Sequence, residues 1–213
     1  MPTQTAESQS KITPEQALLF LKEGNDRFKN GQLRKREYTS QIQQTAAGQF
    51  PFACIVSCID SRVPTSLIFD QGIGSIKSAK VAGNIINEDI LGSLEFACNY
   101  AGAKIVVVLG HTSCGAIMGA CDKVELGNLT SLLSKINPAL LSTTEPKDPE
   151  KRTSKNLEFV NAVARKNVEV MVEQVRTYSN VLRSLEETEK IKIIGAMYDI
   201  STGAVEFLNE TMN

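Results

Sequence analysis

The chain of 213 residues has no tryptophan, a single histidine (His111) and few aromatic side chains, 6% in all. It also lacks an excess of charge of either sign: 23 Lys and Arg against 24 Asp and Glu leave a net −1. That balance excludes the basic footprint of a nucleic-acid binder. No apolar run approaches the roughly 20 residues that span a bilayer. The opening "MPTQTAESQSKITPEQ" lacks the basic-then-apolar pattern of a secretory signal. These absences predict a cytoplasmic, reducing location with no membrane or nucleic-acid partner. The five cysteines (54, 58, 98, 114 and 121) are too scattered, and odd in number, for a disulfide framework. In a reducing compartment, a cysteine near a histidine is instead a candidate metal ligand or nucleophile. The sequons at Asn128 and Asn209 carry no weight without secretion.

What is present reads as one soluble domain, with residues 1–12 disordered and 13–213 folded. Hydrophobic residues make up 42% and charged residues 22%, which is ordinary for a globular chain. "TPEQALLFLKEGNDRFKNG" predicts a helix with Thr13 as cap, Pro14 in the first turn and Gln16 closing a capping box. Residues 32–50 are polar and partly helical. Apolar runs at 52–59, 75–83, 104–110 and 190–200 read as strands, and the unbroken β-branched run at 104–110 suits a fully buried parallel one. Helices are expected over 87–102 and 157–187, a linker over 138–156, and a final hairpin through Ser201-Thr-Gly203. Strands alternating with helices define an α/β fold: a mainly parallel central sheet flanked by helices, with an N-terminal helical arm and a C-terminal antiparallel edge strand.

Two of these strands end in chemically loaded turns, "SCIDSR" (57–62) and "GHTSCG" (110–115). Parallel strands carry both turns to one sheet edge, where open α/β sheets hold their sites. Cys58, His111 and Cys114 then form a donor set suited to zinc, leaving a fourth position open. Each residue also has a plainer reading. A lone histidine at a strand end is ordinarily hydrogen-bonded scaffold, a cysteine often only packs, and Asp60 with Arg62 can be a surface pair of little energetic value. Cys54, Cys98 and Cys121 are read as core.

"CIDSRVP", "VAGNI" and "GHTSCGA", taken with "GNDRFKNG", "FDQGIG" and "YDISTGAVEFL", resemble the β-class carbonic anhydrases from about Gln16 to the end. The resemblance implies one zinc per chain on Cys58, His111 and Cys114. It implies reversible hydration of carbon dioxide to bicarbonate and a proton by zinc-bound hydroxide, in a homodimer or homotetramer. Asp60 and Arg62 match the dyad that gates the fourth zinc position, Gln49 a position that hydrogen-bonds bicarbonate, and Gly115 can offer its amide to an anion. Lys77 stands where family members often carry an aromatic pocket residue. Ile55 and Lys80 stand where one subgroup has the Trp and Arg of an inhibitory bicarbonate site, so that site is expected to be missing. Other readings stay open on the residues alone: a zinc hydrolase of carbon disulfide or carbonyl sulfide, a closed structural zinc module with Asp60 as fourth ligand, and a nucleotide-binding domain prompted by Gly72-Ile-Gly74.

Overall fold

The computed structural model describes residues 3–208, so the sequon at Asn209 lies outside it. The chain opens with α1 (Ala6–Ser10), α2 (Pro14–Lys29) and α3 (Tyr38–Thr45). β1 (Ala53–Ser57), α4 (Thr65–Ile68), β2 (Ile76–Lys80), α5 (Glu88–Glu95) and β3 (Ile105–His111) follow. Next come α6 (Gly115–Cys121), α7 (Gly127–Ser134), α8 (Asn137–Ser142), α9 (Leu157–Tyr178) and α10 (Asn180–Glu187), and the sheet ends with β4 (Lys192–Tyr198) and β5 (Val205–Leu208). The strand order is β2-β1-β3-β4-β5, all parallel except the last pair. This is the expected α/β architecture, with the antiparallel edge strand where the Ser201–Gly203 turn put it.

β1 and β3 are buried at every position because helices cover both faces. Their side chains alternate between two cores. Cys54, Val56, Val106 and Val108 face the layer containing Phe159, Val163 and Met171 of α9. Ala53, Ile55, Ile105, Val107 and Leu109 face Ala17, Leu18 and Leu21 of α2. The capping box that starts α2 forms as its sequence dictates, with Thr13 accepting from the Gln16 amide.

α9 lies close against the sheet. A Cβ on Gly110 would fall 2.5 Å from Val168 Cγ2, and one on Gly195 would fall 2.6 Å from Val168 Cγ1. Two glycines on adjacent strands thus admit one valine and set the height of the helix above the sheet.

Four stretches depart from the sequence reading. Residues 6–10, inside the segment read as disordered, form α1 with a Thr5–Ser8 capping box. The helix expected over 87–102 is α-helical only to Glu95 and continues as a π-helical turn over Phe96–Tyr100. The linker-like 138–156 is folded: the Arg152 guanidinium donates to the carbonyls of Leu140, Thr143 and Pro146 and lies 4.6 Å from the Phe159 ring centroid. The helix expected over 157–187 breaks at Ser179, whose hydroxyl accepts from the Leu182 amide and so starts α10.

Gly195→Ala should destabilise the protein by about 1–3 kcal/mol through overpacking against Val168. The further change Val168→Ala should recover part of that loss. Urea unfolding of the two variants checks this; equal stability of wild type and Gly195→Ala would contradict the tight approach.

Candidate metal centre

Parallel pairing of β1 with β3 aligns Ser57 with Leu109. Cys58 therefore leaves the sheet beside the end of β3, where His111 is the last strand residue. Cys114 follows three residues later as the N-cap of α6. The turn between them needs Ser113 in the left-handed region, at φ 53°, and Asn161 of α9 holds it by accepting from the Ser113 amide at 2.9 Å.

The donor atoms of Cys58, His111 and Cys114 all lie within 4.8 Å of one another, and all three residues are buried. The two sulfurs are 3.9 Å apart. His111 Nδ1 lies 2.9 Å from the Thr112 carbonyl. A carbonyl can only accept, so Nδ1 carries the proton and Nε2 presents a lone pair. That lone pair is fully buried with no hydrogen-bond partner among the described residues. An imidazole nitrogen aimed at two cysteine sulfurs, with no proton to offer and no donor to receive, fits a metal ion and is costly otherwise. Two sulfurs and one nitrogen suit zinc.

The sulfurs are also coupled electrostatically. The hydrogen bond from Cys114, with help from the amides of Asp60 and Gly83, holds the Cys58 thiol down against the cost of burial. The same contact with Cys58, with burial, pushes Cys114 up. The other cysteines behave as core. Burial pushes Cys54 up to about 12 and Cys121 up to about 11, so neither offers a thiolate near neutrality. All five cysteines are free.

Asp60 and Arg62 stand at the mouth of this cluster. Arg62 Nε donates to Asp60 Oδ1 at 3.0 Å, Nη2 to Oδ2 at 2.8 Å, and the Arg62 amide to Oδ1 at 2.9 Å. The side-chain bonds from Arg62 hold the Asp60 carboxyl well below the usual carboxylate range, outweighing partial burial. Asp60 Oδ2 lies 3.9 Å from His111 Nε2, close but beyond hydrogen-bond reach. Arg62 also reaches the Ser113 carbonyl at 3.5 Å, joining the two ligand-bearing turns.

Gly115 is the exposed first residue of α6, next to Cys114 and open on its Cα face. Gln49 is not brought to the cluster. It is exposed and lines a separate cavity of about 660 Å³ with Lys77, Ser78 and Phe96. Lys77 lies 5.2 Å from the Phe96 ring centroid, stacking on an aromatic from outside the strand. Lys80 turns to the dyad loop, donating to the Val63 carbonyl at 2.7 Å. Sequence reasoning passed over Asn161, Asn167 and the Gly83 amide, which donates to Cys58 Sγ at 3.4 Å. A signal was available for Asn167: it interrupts the apolar stripe Val160, Val163, Ala164, Val168, Met171.

The fold and donor set define a candidate mononuclear metal centre at the carboxyl edge of a parallel sheet. Residues 53–205 match the family model for carbonic anhydrase. Carbonic anhydrase 2 of Mycobacterium tuberculosis is 38% identical over 136 residues, a match covering 60% of this chain and 65% of that protein's length. A carbonic anhydrase of Mycolicibacterium smegmatis is 29% identical over 199 residues, covering 91% of this chain and 92% of that one. A tetrameric β-carbonic anhydrase of Sordaria macrospora shares the fold at TM-score 0.71 and 22% identity, covering 82% of this chain and 92% of that chain. One from Aspergillus fumigatus does so at TM-score 0.70 and 24% identity, covering 93% and 92%. The chain belongs to the β-carbonic anhydrase family.

Arg62→Ala should raise the Asp60 pKa toward the ordinary carboxylate value, because the ionised form loses both of its side-chain donors. In the wild type the charge persists far into acid; in the variant protonation begins as pH falls through the normal carboxylate range. A carboxyl-carbon NMR titration reads this directly, and identical titrations would contradict the pairing.

Proposed function

We propose that this chain is a zinc enzyme that reversibly hydrates carbon dioxide to bicarbonate and a proton. The observation that carries the reading is the buried, partnerless Nε2 of His111 beside the sulfurs of Cys58 and Cys114, with Asp60 3.9 Å away in the grip of Arg62. Cys58, His111 and Cys114 would hold the ion. When bound, zinc makes a water acidic enough to act as a nucleophile near neutral pH.

The chain's own groups supply the rest. Asp60, kept ionised by Arg62, is an acceptor and not a donor; it takes a hydrogen bond from the nucleophile and fixes its orientation toward carbon. Arg62 keeps both carboxylate oxygens engaged, which restrains Asp60 from moving onto the His111 side. Its positive charge also offsets the thiolates below. The one imidazole is turned inward with Nδ1 on a backbone carbonyl, so the proton released must leave by water or buffer. Gly115, open beside Cys114, offers its amide to the bicarbonate oxygen. Gln49 would serve bicarbonate only as part of a site assembled with a second copy, since within one chain it lines another cavity. A dimer or tetramer is supported by the exposed apolar side chains of Tyr38, Ile42, Ile59 and Leu67. Five free cysteines support a cytoplasmic setting. Among the described residues no helix is long and apolar enough to cross a membrane.

Cys58→Ser and His111→Ala should each lose zinc, read by metal analysis of the purified protein. Asp60→Asn should keep zinc yet lose at least about tenfold in carbon dioxide hydration, since it removes the charge and replaces one acceptor oxygen with a donor while touching no ligand. Zinc retained at wild-type affinity in both ligand variants would sink the assignment, and a wild-type rate in Asp60→Asn would remove its role.

The wild-type rate should rise with pH as the nucleophilic water loses its proton; Asp60, already ionised, contributes no step near neutrality. Diluting the buffer should lower the maximal rate. A rate–pH series at two buffer concentrations tests both points, and a flat profile or a buffer-independent maximum would contradict them.

A further inference from the structure

We propose that Asn167, in the middle of α9, is a positioning residue for the metal centre: it holds the carbonyl of Gly83, the residue whose N–H donates to the sulfur of Cys58. The inference rests on the reading of Cys58 as a metal ligand. It extends the site from the ligand turns to a third turn and a helix that supply no ligand.

The contacts form a short chain. Gly83 N lies 3.4 Å from Cys58 Sγ, within reach for a sulfur acceptor, and the bond is buried. Asn167 Nδ2 donates to the Gly83 carbonyl at 2.9 Å, also buried. The turn is tied elsewhere by the Val81 amide on the Ser57 carbonyl and the Asn84 amide on the Val81 carbonyl, both 3.0 Å. Gly83 and Asn84 are both in the left-handed region, at φ 68° and 43°. Such a turn holds its shape only when its carbonyls are held as well. A side chain at Gly83 would add strain to crowding, since its Cβ would meet Ile136 Cδ1 at 3.0 Å and Ala116 Cβ at 3.3 Å.

The asparagine is itself conspicuous. Asn167 is fully buried in the apolar stripe that α9 presses on the sheet. Its Oδ1 has no hydrogen-bond partner among the described residues. Turning the amide over would set oxygen against the Gly83 carbonyl, so the donor end is fixed there. An apolar residue would fill the stripe with no polar group to bury. What the asparagine adds is a grip on the far side of the residue whose N–H faces Cys58.

A donor on a ligand sulfur acts on the metal. It stabilises the thiolate over the thiol and sets the direction of the sulfur lone pairs. The same helix holds the other ligand turn, through Asn161 on the Ser113 amide. α9 therefore braces one ligand-bearing turn directly and Cys58 through Gly83, and the Gly110–Val168–Gly195 contact fixes its height.

The test has two arms. In wild-type protein loaded with one equivalent of cadmium-113, a scalar coupling should appear between the metal and the Gly83 amide proton, transmitted through the N–H···S bond. In Asn167→Leu, which keeps the volume and loses the donor, zinc affinity measured against a chromophoric chelator should fall by about 10–100-fold, with one zinc still bound at saturation. A purely structural asparagine would lower the thermal stability of zinc-free and zinc-loaded protein alike and leave affinity unchanged; that result overturns the proposal. One cadmium per chain without the Gly83 coupling also overturns it, even if the variant fails to fold, and leaves the ligand assignment standing. A wild-type chain that binds neither metal stoichiometrically removes both.

Discussion

The parallel pairing of β1 with β3 is the constraint on which the site depends. Register aligns Ser57 with Leu109, and with that one alignment Cys58 and His111, 53 positions apart in the chain, leave the sheet side by side. Any slip would turn alternate side chains to the wrong face. The slip is opposed by two full cores, one on each face, built from alternate residues of the same two strands. The apolar packing and the metal-binding geometry are thus specified by the same residues.

Around that pairing, charge and backbone direction do most of the remaining work. The His111 tautomer is set by one carbonyl. The Asp60 charge is set by a two-pronged guanidinium, which also reaches the second turn. Lys80 ties the dyad loop to β2, and the Thr65 hydroxyl lies 2.6 Å from the Ser78 hydroxyl across the same gap. A mobile carboxylate beside three metal donors would otherwise be free to become a fourth ligand. On the proposed reading, the Arg62 contacts and these loop restraints hold Asp60 off that position.

Much of this was legible in the sequence because the ligands sit at the ends of strongly patterned strands. "FACIVSCI" and "KIVVVLG" can scarcely be anything but buried strands, and their turns carry unusual residues for scaffold. Capping chemistry sets the start of α2 at Thr13, and of α5 at Asn87, whose side chain accepts from the Ile90 amide. The remainder depends on tertiary contacts that composition does not encode. Residues 138–156 look like a linker until Arg152 is seen to collect three carbonyls from them. The π turn at Phe96 preserves helical pattern while changing its hydrogen bonding. Gln49, assigned by resemblance, lines another cavity, away from the cluster. Asn161 looks like an ordinary helix polar residue and Asn167 shows only as a break in the apolar stripe; proximity to Ser113 and Gly83, 48 and 84 positions away, gives the two their contacts.

The central claim is that the buried Cys58–His111–Cys114 cluster holds the ion on which hydration of carbon dioxide depends. Its most direct test is stopped-flow hydration on wild-type protein stripped of metal and then titrated with zinc, with bound zinc counted in the same samples. The account predicts activity near the buffer background without zinc, rising in proportion to bound zinc and levelling at one ion per chain. Full hydration by the zinc-free chain, or none with one zinc bound, would contradict it.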